Sequence, residues 1–153
     1  MPCLALSRVV ALVGGLALVG AFFMPWFSSQ NLLLSGQFLH IFLGSPGDVR
    51  RFLPTTSAGE AQLLRVLVDL FPVCGGLAVL AALVGGFGRP RWRLPTDVLL
   101  LISGLLPLAG WAGGITRLPP GSGAEIGLGL MPLGALGVLA GAAADLVWGR
   151  ARP

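Results

Sequence analysis

The side chains able to do chemistry are few. There is one histidine, His40, and the acids are Asp48, Glu60, Asp69, Asp97, Glu125 and Asp145. The cysteines are Cys3 and Cys74. A lone histidine can ligate a haem iron or a chlorophyll magnesium, or respond to pH. His40 is therefore the one cofactor-binding candidate, although the sequence places no second ligand or orienting carboxylate beside it. No CxxC and no Cys/His cluster is present, so neither a redox motif nor a zinc site is indicated. No nucleophile–base pair, carboxylate dyad or phosphate-binding loop can be assembled. "GSGAEIG" (121–127) holds glycines but opens an apolar helix and does not follow a strand, so it is no dinucleotide fingerprint. The expectation is a non-enzyme with no catalytic residue, no metal and no cofactor.

The elements that would carry these residues are apolar. Hydrophobic residues make up 55% of the 153 and charged ones only 10%, with mean hydropathy +0.88. A soluble domain carries about 25% charged residues. Four runs, about 9–27, 63–87, 97–115 and 125–148, have the length of a membrane crossing, for which about 20 residues suffice. They are continuous and do not alternate, which indicates helices. The expected fold is an all-α membrane protein: one domain over 1–153, a four-transmembrane-helix bundle with a short helical outer loop, 28–60, between spans one and two. In that loop Ser35 would open one short helix. "SPGDVRRFLP" reads as a second, with Ser45 as N-cap, Pro46 at the first helical position and Asp48 at the third. Ser57 and Glu60 have capping-box spacing at the start of the helix that becomes span two. This loop is the best candidate for a partner surface, the alternative being that it simply covers the outer end of the bundle.

All ten basic residues are arginine, for a net charge of +4. Lysine is absent, a usage that suggests a GC-rich bacterial genome. Nucleic-acid binding is not expected, because the arginines flank apolar spans and form no basic stripe. Six arginines (8, 89, 91, 93, 150 and 152) fall in short segments on one side and four (50, 51, 65 and 117) in the loops on the other. The bias predicts both termini in the cytoplasm, in a bacterial inner membrane. In that topology Trp26 and Trp111 would anchor at the outer interface, and Trp92 and Trp148 at the inner one, each indole N–H facing water or headgroups. Span one is expected to stay in the mature chain, since "FMPWF" offers no small-residue cleavage site. Pro25 would end its helix.

Small residues recur at close-packing intervals. Gly110 and Gly114 form GxxxG in span three, and Gly137 and Gly141 in span four. Gly123 and Gly127 lie at the entry to span four, Ala78, Ala82 and Gly86 in span two, Ala11 and Gly15 in span one. Such faces let helix backbones approach where lipid supplies no hydrophobic drive. They would pack the bundle, dock other membrane subunits, or both. Pro72, Pro107 and Pro132 fall within spans and remove backbone donors. Polar groups at depth are few: Cys74, Ser103 and, one turn from an inner end, Asp145. That argues against a proton pump or ion-coupled carrier. Arg65 and Asp69 have i, i+4 spacing and could pair. Asp97 would sit at a favourable helix N-terminus, and Asp145 would meet Arg150 or an inner-loop arginine.

A first span ending "MPWFSS", an outer "LSG" and a last span opening "IGLGLMPLGALGVLAG" together resemble small uncharacterised bacterial four-helix transmembrane proteins. The resemblance covers the general layout and implies a fold but no activity. The layout is also similar to that of claudin-like proteins, whose cysteine pair and loop signature this chain lacks. The functional expectation is a non-catalytic accessory or scaffold subunit of a larger membrane complex, respiratory or photosynthetic. Its partners would be the lipid bilayer and other membrane subunits. The alternative is a small channel or a lipid- or hydrophobe-binding protein whose proline-kinked helices line a cavity.

Overall fold

A computed structural model describes residues 2–29, 32–45, 47, 49, 57–87, 92–115 and 123–150. Four long helices form a bundle: α1 (Pro2–Phe23), α3 (Ala58–Phe87), α4 (Arg93–Ile115) and α5 (Ile126–Arg150). Each is long and apolar enough to cross a membrane. A short helix, α2 (Gly36–Leu43), lies between α1 and α3 in sequence and packs on α3. Around the bundle α1 packs on α3 and α5, and α4 packs on the same two, so α1 and α4 face each other across the axis.

The chain is not all-α. Pro25–Ser29 forms strand β1, Leu32–Ser35 forms β2, and Gly123–Ala124, just before α5, forms β3. They make one antiparallel sheet in the order β2-β1-β3. This corrects the purely helical reading of the loop after span one. α1 stops at Phe23, and Pro25–Phe27, expected inside the first span, belongs to the sheet. The cause is local. Pro25 cannot continue the helix, and the aromatic and leucine residues that follow suit a pleated, half-buried surface. Between Pro25 and Phe27 the register with β2 shifts, so Trp26 sits at an irregularity of the ladder.

The helix-start signals are as the sequence indicated. Ser35 caps α2, its hydroxyl accepting from Phe38 N at 3.2 Å. Ser57 and Glu60 form a reciprocal capping box on α3: Ser57 N donates to Glu60 Oε2 at 2.8 Å and Glu60 N to Ser57 Oγ at 3.2 Å. Most of the second loop helix expected from Ser45, with Pro46 and Asp48, lies outside the described residues.

Glycines set the helix spacing, and α1 is clasped on two faces. A Cβ on Gly14 would fall 2.6 Å from Val138 N and 2.7 Å from Gly134 O on α5, while one on Gly15 would fall 2.9 Å from Gly75 O on α3. Of the two GxxxG pairs, that of α5 is spent inside the bundle: a Cβ on Gly141 would meet Ser7 O at 2.6 Å, and one on Gly137 would meet Gly14 Cα at 3.3 Å. In α4, Gly110 is in ordinary contact with Leu70 and Phe71, and no described residue comes within 4 Å of the Gly114 Cβ position.

Candidate functional site

Two polar constellations stand at opposite ends of the bundle. The first is a buried ion cluster that draws on all four long helices. Arg8 on α1, Asp97 on α4 and Asp145 on α5 are each only 6% exposed. The Arg8 guanidinium bridges both carboxylates: Nη2 donates to Asp97 Oδ1 at 2.5 Å, and Nε lies in ion-pair contact with Asp145 Oδ2. Two hydroxyls complete it. Ser7 Oγ donates to Asp145 Oδ1, and Arg8 Nη1 donates to Thr96 Oγ1 at 3.4 Å. Thr96 Oγ1 also lies 2.8 Å from both Trp92 O and Arg93 O, so its own proton has a carbonyl to go to. α3 contributes space. A Cβ on Gly85 would fall 2.5 Å from Arg8 Cζ and 2.8 Å from Thr96 Oγ1, so the guanidinium crosses the bundle over a glycine.

Arg8 counted in sequence only as a positive flank of span one. Asp97 was expected to interact with its own helix end and Asp145 with Arg150 or an inner-loop arginine. The structure instead joins both acids to Arg8, 89 residues from Asp97. No spacing rule reports such a pair. The available signal was that all three residues fall near one predicted end of the bundle.

The second constellation lies at the sheet end. His40 of α2 stands between two residues of α3: Nδ1 is 2.5 Å from Asp69 Oδ1, and Arg65 Nη2 is 3.2 Å from Nε2. An arginine can only donate, so Nε2 accepts and Nδ1–H donates to the carboxylate. Arg65 and Asp69, expected as a direct i, i+4 pair, are thus linked through the histidine. The sequence placed no orienting carboxylate beside His40, and the structure supplies Asp69 from α3. Side chains at this site are about one-third exposed, at 35% for His40 and 39% for Asp69. The Nε2 lone pair, which a general base or metal ligand would use, is engaged by Arg65. Among the described residues no group of three or more His, Cys, Asp or Glu is placed to hold a metal. The trio fastens α2 to α3.

The expected tryptophan anchors divide into two kinds. Trp92 and Trp148 are exposed. Trp26 is buried at 7% exposure, lies edge-on to Phe71 with centroids 5.4 Å apart, and donates from Nε1 to Ala21 O at 2.7 Å. Trp111 is half-buried and donates from Nε1 to Leu128 O at 2.9 Å. These two bonds correct the expectation that both indole N–H groups face headgroups. Each goes to a carbonyl four residues before a proline. Pro25 has no N–H for Ala21 O, and Pro132 has none for Leu128 O. The indoles serve carbonyls that the prolines leave open. Pro107 likewise withholds an N–H from the Ser103 carbonyl, and the buried Ser103 hydroxyl has no hydrogen-bond partner among the described residues. Cys74 is a free, buried thiol.

The class defined by this geometry is a four-helix bundle of membrane-crossing length, clasped at one end by buried ions and capped at the other by a small sheet and helix. No protein-family model, curated protein or solved structure matches the chain.

Proposed function

We propose that this chain is a multi-pass bacterial inner-membrane protein, both termini cytoplasmic, that serves as a non-catalytic accessory or scaffold subunit of a larger membrane complex. The observation that carries the reading is the unequal use of the Gly110/Gly114 pair of α4 and the Gly137/Gly141 pair of α5. Gly137 and Gly141 of α5 are consumed by α1, whereas on α4 no described residue comes within 4 Å of the Gly114 Cβ position and neighbouring Ala112 is exposed. A small-residue face not used within the fold suits close approach by a helix of another subunit. The polar interior supports the same reading. Arg8, Asp97 and Asp145 are bound to one another, and His40 to Asp69 and Arg65, which suits a rigid framework. The layout-level resemblance to small bacterial four-helix membrane proteins is in keeping with it.

The experiment is purification from native membranes in mild detergent, comparing the unaltered chain with Gly114→Leu. No described residue lies within 4 Å of that Cβ position, so the bundle should melt as before. The co-purifying membrane subunits should be lost. A protein that migrates as a free monomer before and after the change would overturn the assignment.

A further inference from the structure

We infer that α2 is an interfacial helix, whose exposed face, Phe38 and Ile41, is seated in the lipid of the leaflet on the sheet side of the bundle. The inference rests on the membrane-spanning reading above. It begins with an unpartnered apolar face. Phe38 is 48% and Ile41 65% exposed, and they lie three residues apart on one side of the helix. Phe38 also stacks on Phe42, with centroids 6.2 Å apart.

What covers this face follows from its height. His40 is tied to Asp69 and Arg65, and Gly44 lies against the Arg65 guanidinium, its Cβ position 3.1 Å from Cζ. The C-terminal half of α2 from His40, with its cap Gly44, therefore runs beside residues 65–69 of α3. At about 1.5 Å of rise per residue, Asp69 stands about 27 Å along α3 from Phe87, and Arg65 about 33 Å. A hydrocarbon core is about 30 Å thick, with headgroup layers bringing the bilayer to about 40–45 Å. Phe87 closes α3 close to the level of the buried ion cluster, since Gly85 is its contact with Arg8. With that end of α3 at one edge of the hydrocarbon, α2 falls at the other edge. There an amphipathic helix lies in the membrane plane with its apolar side in the acyl boundary. The exposed apolar surface of α3 continues to the same height through Val66 and Leu63, so α2 extends a lipid-facing surface already present. The polar trio occupies the headgroup level beside it.

The test uses the full chain in lipid nanodiscs, with an environment-sensitive fluorophore on single introduced cysteines. The background carries Cys3→Ser and Cys74→Ala. The sites are Phe38→Cys and Ile41→Cys, with Ala58→Cys at the start of α3 as an aqueous reference and Leu136→Cys in mid-α5 as a deep one. Labels at 38 and 41 should be quenched by lipids bearing a nitroxide near the headgroup and shielded from aqueous iodide, with 58 quenched by iodide and 136 by a deep nitroxide. If 38 and 41 respond to iodide like 58 while 136 responds to the deep nitroxide, the face stands in water and the inference fails alone. If they escape both quenchers, protein covers the face and the inference again fails. If 136 is not quenched by lipid either, the membrane-spanning reading fails with it. Two independent positions keep the result readable should one label perturb folding.

Discussion

Arg8 on the first helix and Asp97 on the fourth are joined at 2.5 Å across the axis of the bundle, although their helices do not pack side by side. The guanidinium reaches that far because Asp145 holds its other edge and because α3 presents a glycine, Gly85, where any side chain would stand in the way. One arginine thus ties together α1, α4 and α5, and passes directly over α3.

Removing Arg8 should therefore cost more than removing an exposed charge. Arg8→Leu strands two buried carboxylates, and breaking a buried ion pair from one side costs about 3–5 kcal/mol. The triple change Arg8→Leu, Asp97→Leu, Asp145→Leu should recover most of that loss, because replacing a whole buried cluster with apolar groups is often near neutral. Unfolding in detergent, followed by circular dichroism, measures both. A triple variant no more stable than Arg8→Leu would contradict the account.

Two adjacent glycines should respond differently to one methyl group. A Cβ on Gly85 would overlap the guanidinium, whereas on Gly86 the nearest atom, on Arg8, is 4.0 Å away. Gly85→Ala should lower stability by about 1–3 kcal/mol, in the range of overpacked cores. Gly86→Ala should be neutral or slightly stabilising, since alanine favours the helix over glycine. Equal effects at the two positions would show that Arg8 is not held where the structure places it.

A Cβ on Gly14 would meet backbone atoms of α5 alone, Val138 N at 2.6 Å and Gly134 O at 2.7 Å, so no flexible side chain there can give way. Gly14→Ala should separate the helices and destabilise the bundle more than Gly114→Ala, which meets no described residue within 4 Å. Melting temperatures of the two variants, side by side, decide this.

The indole–carbonyl bonds predict a coupling between Trp111 and Pro132. Trp111→Phe removes the donor to Leu128 O and should cost about 0.5–1.5 kcal/mol, the usual worth of a hydrogen bond. In a Pro132→Ala background the chain itself can supply that carbonyl with an N–H, so the same change should cost less. A double-mutant cycle reads the difference as an interaction energy. Additive effects would mean that the indole does not serve the carbonyl left open by proline.

Much of the fold is legible without coordinates. The four runs become four helices because hydrophobic length is a local property, read within one segment. The caps are legible for the same reason. Ser35 reaches Phe38 N, and Ser57 and Glu60 satisfy each other, all within three residues. The sheet was hidden because its strands are two to five residues long. Its β1–β3 pairing also joins Phe27 to Ala124 from the far end of the chain. Neither periodicity nor spacing reports such a pairing.

The candidate sites were legible in their members but not in their partnerships. His40 stood out as the one histidine, yet its carboxylate comes from another helix. Trp26 and Trp111 stood out as anchors at helix ends, yet their N–H groups turn inward to carbonyls near Pro25 and Pro132. What the sequence alone determined is which segments are apolar, where their helices begin and that few polar groups lie along them, since each depends on neighbouring residues. What only the tertiary structure decided is where the polar groups go. A charge at the end of an apolar helix meets water if its neighbours leave it exposed, and a partner if they close over it. Gly85, Asp97 and Asp145, brought together from three other helices, close over Arg8 and make a terminal charge part of the bundle's interior.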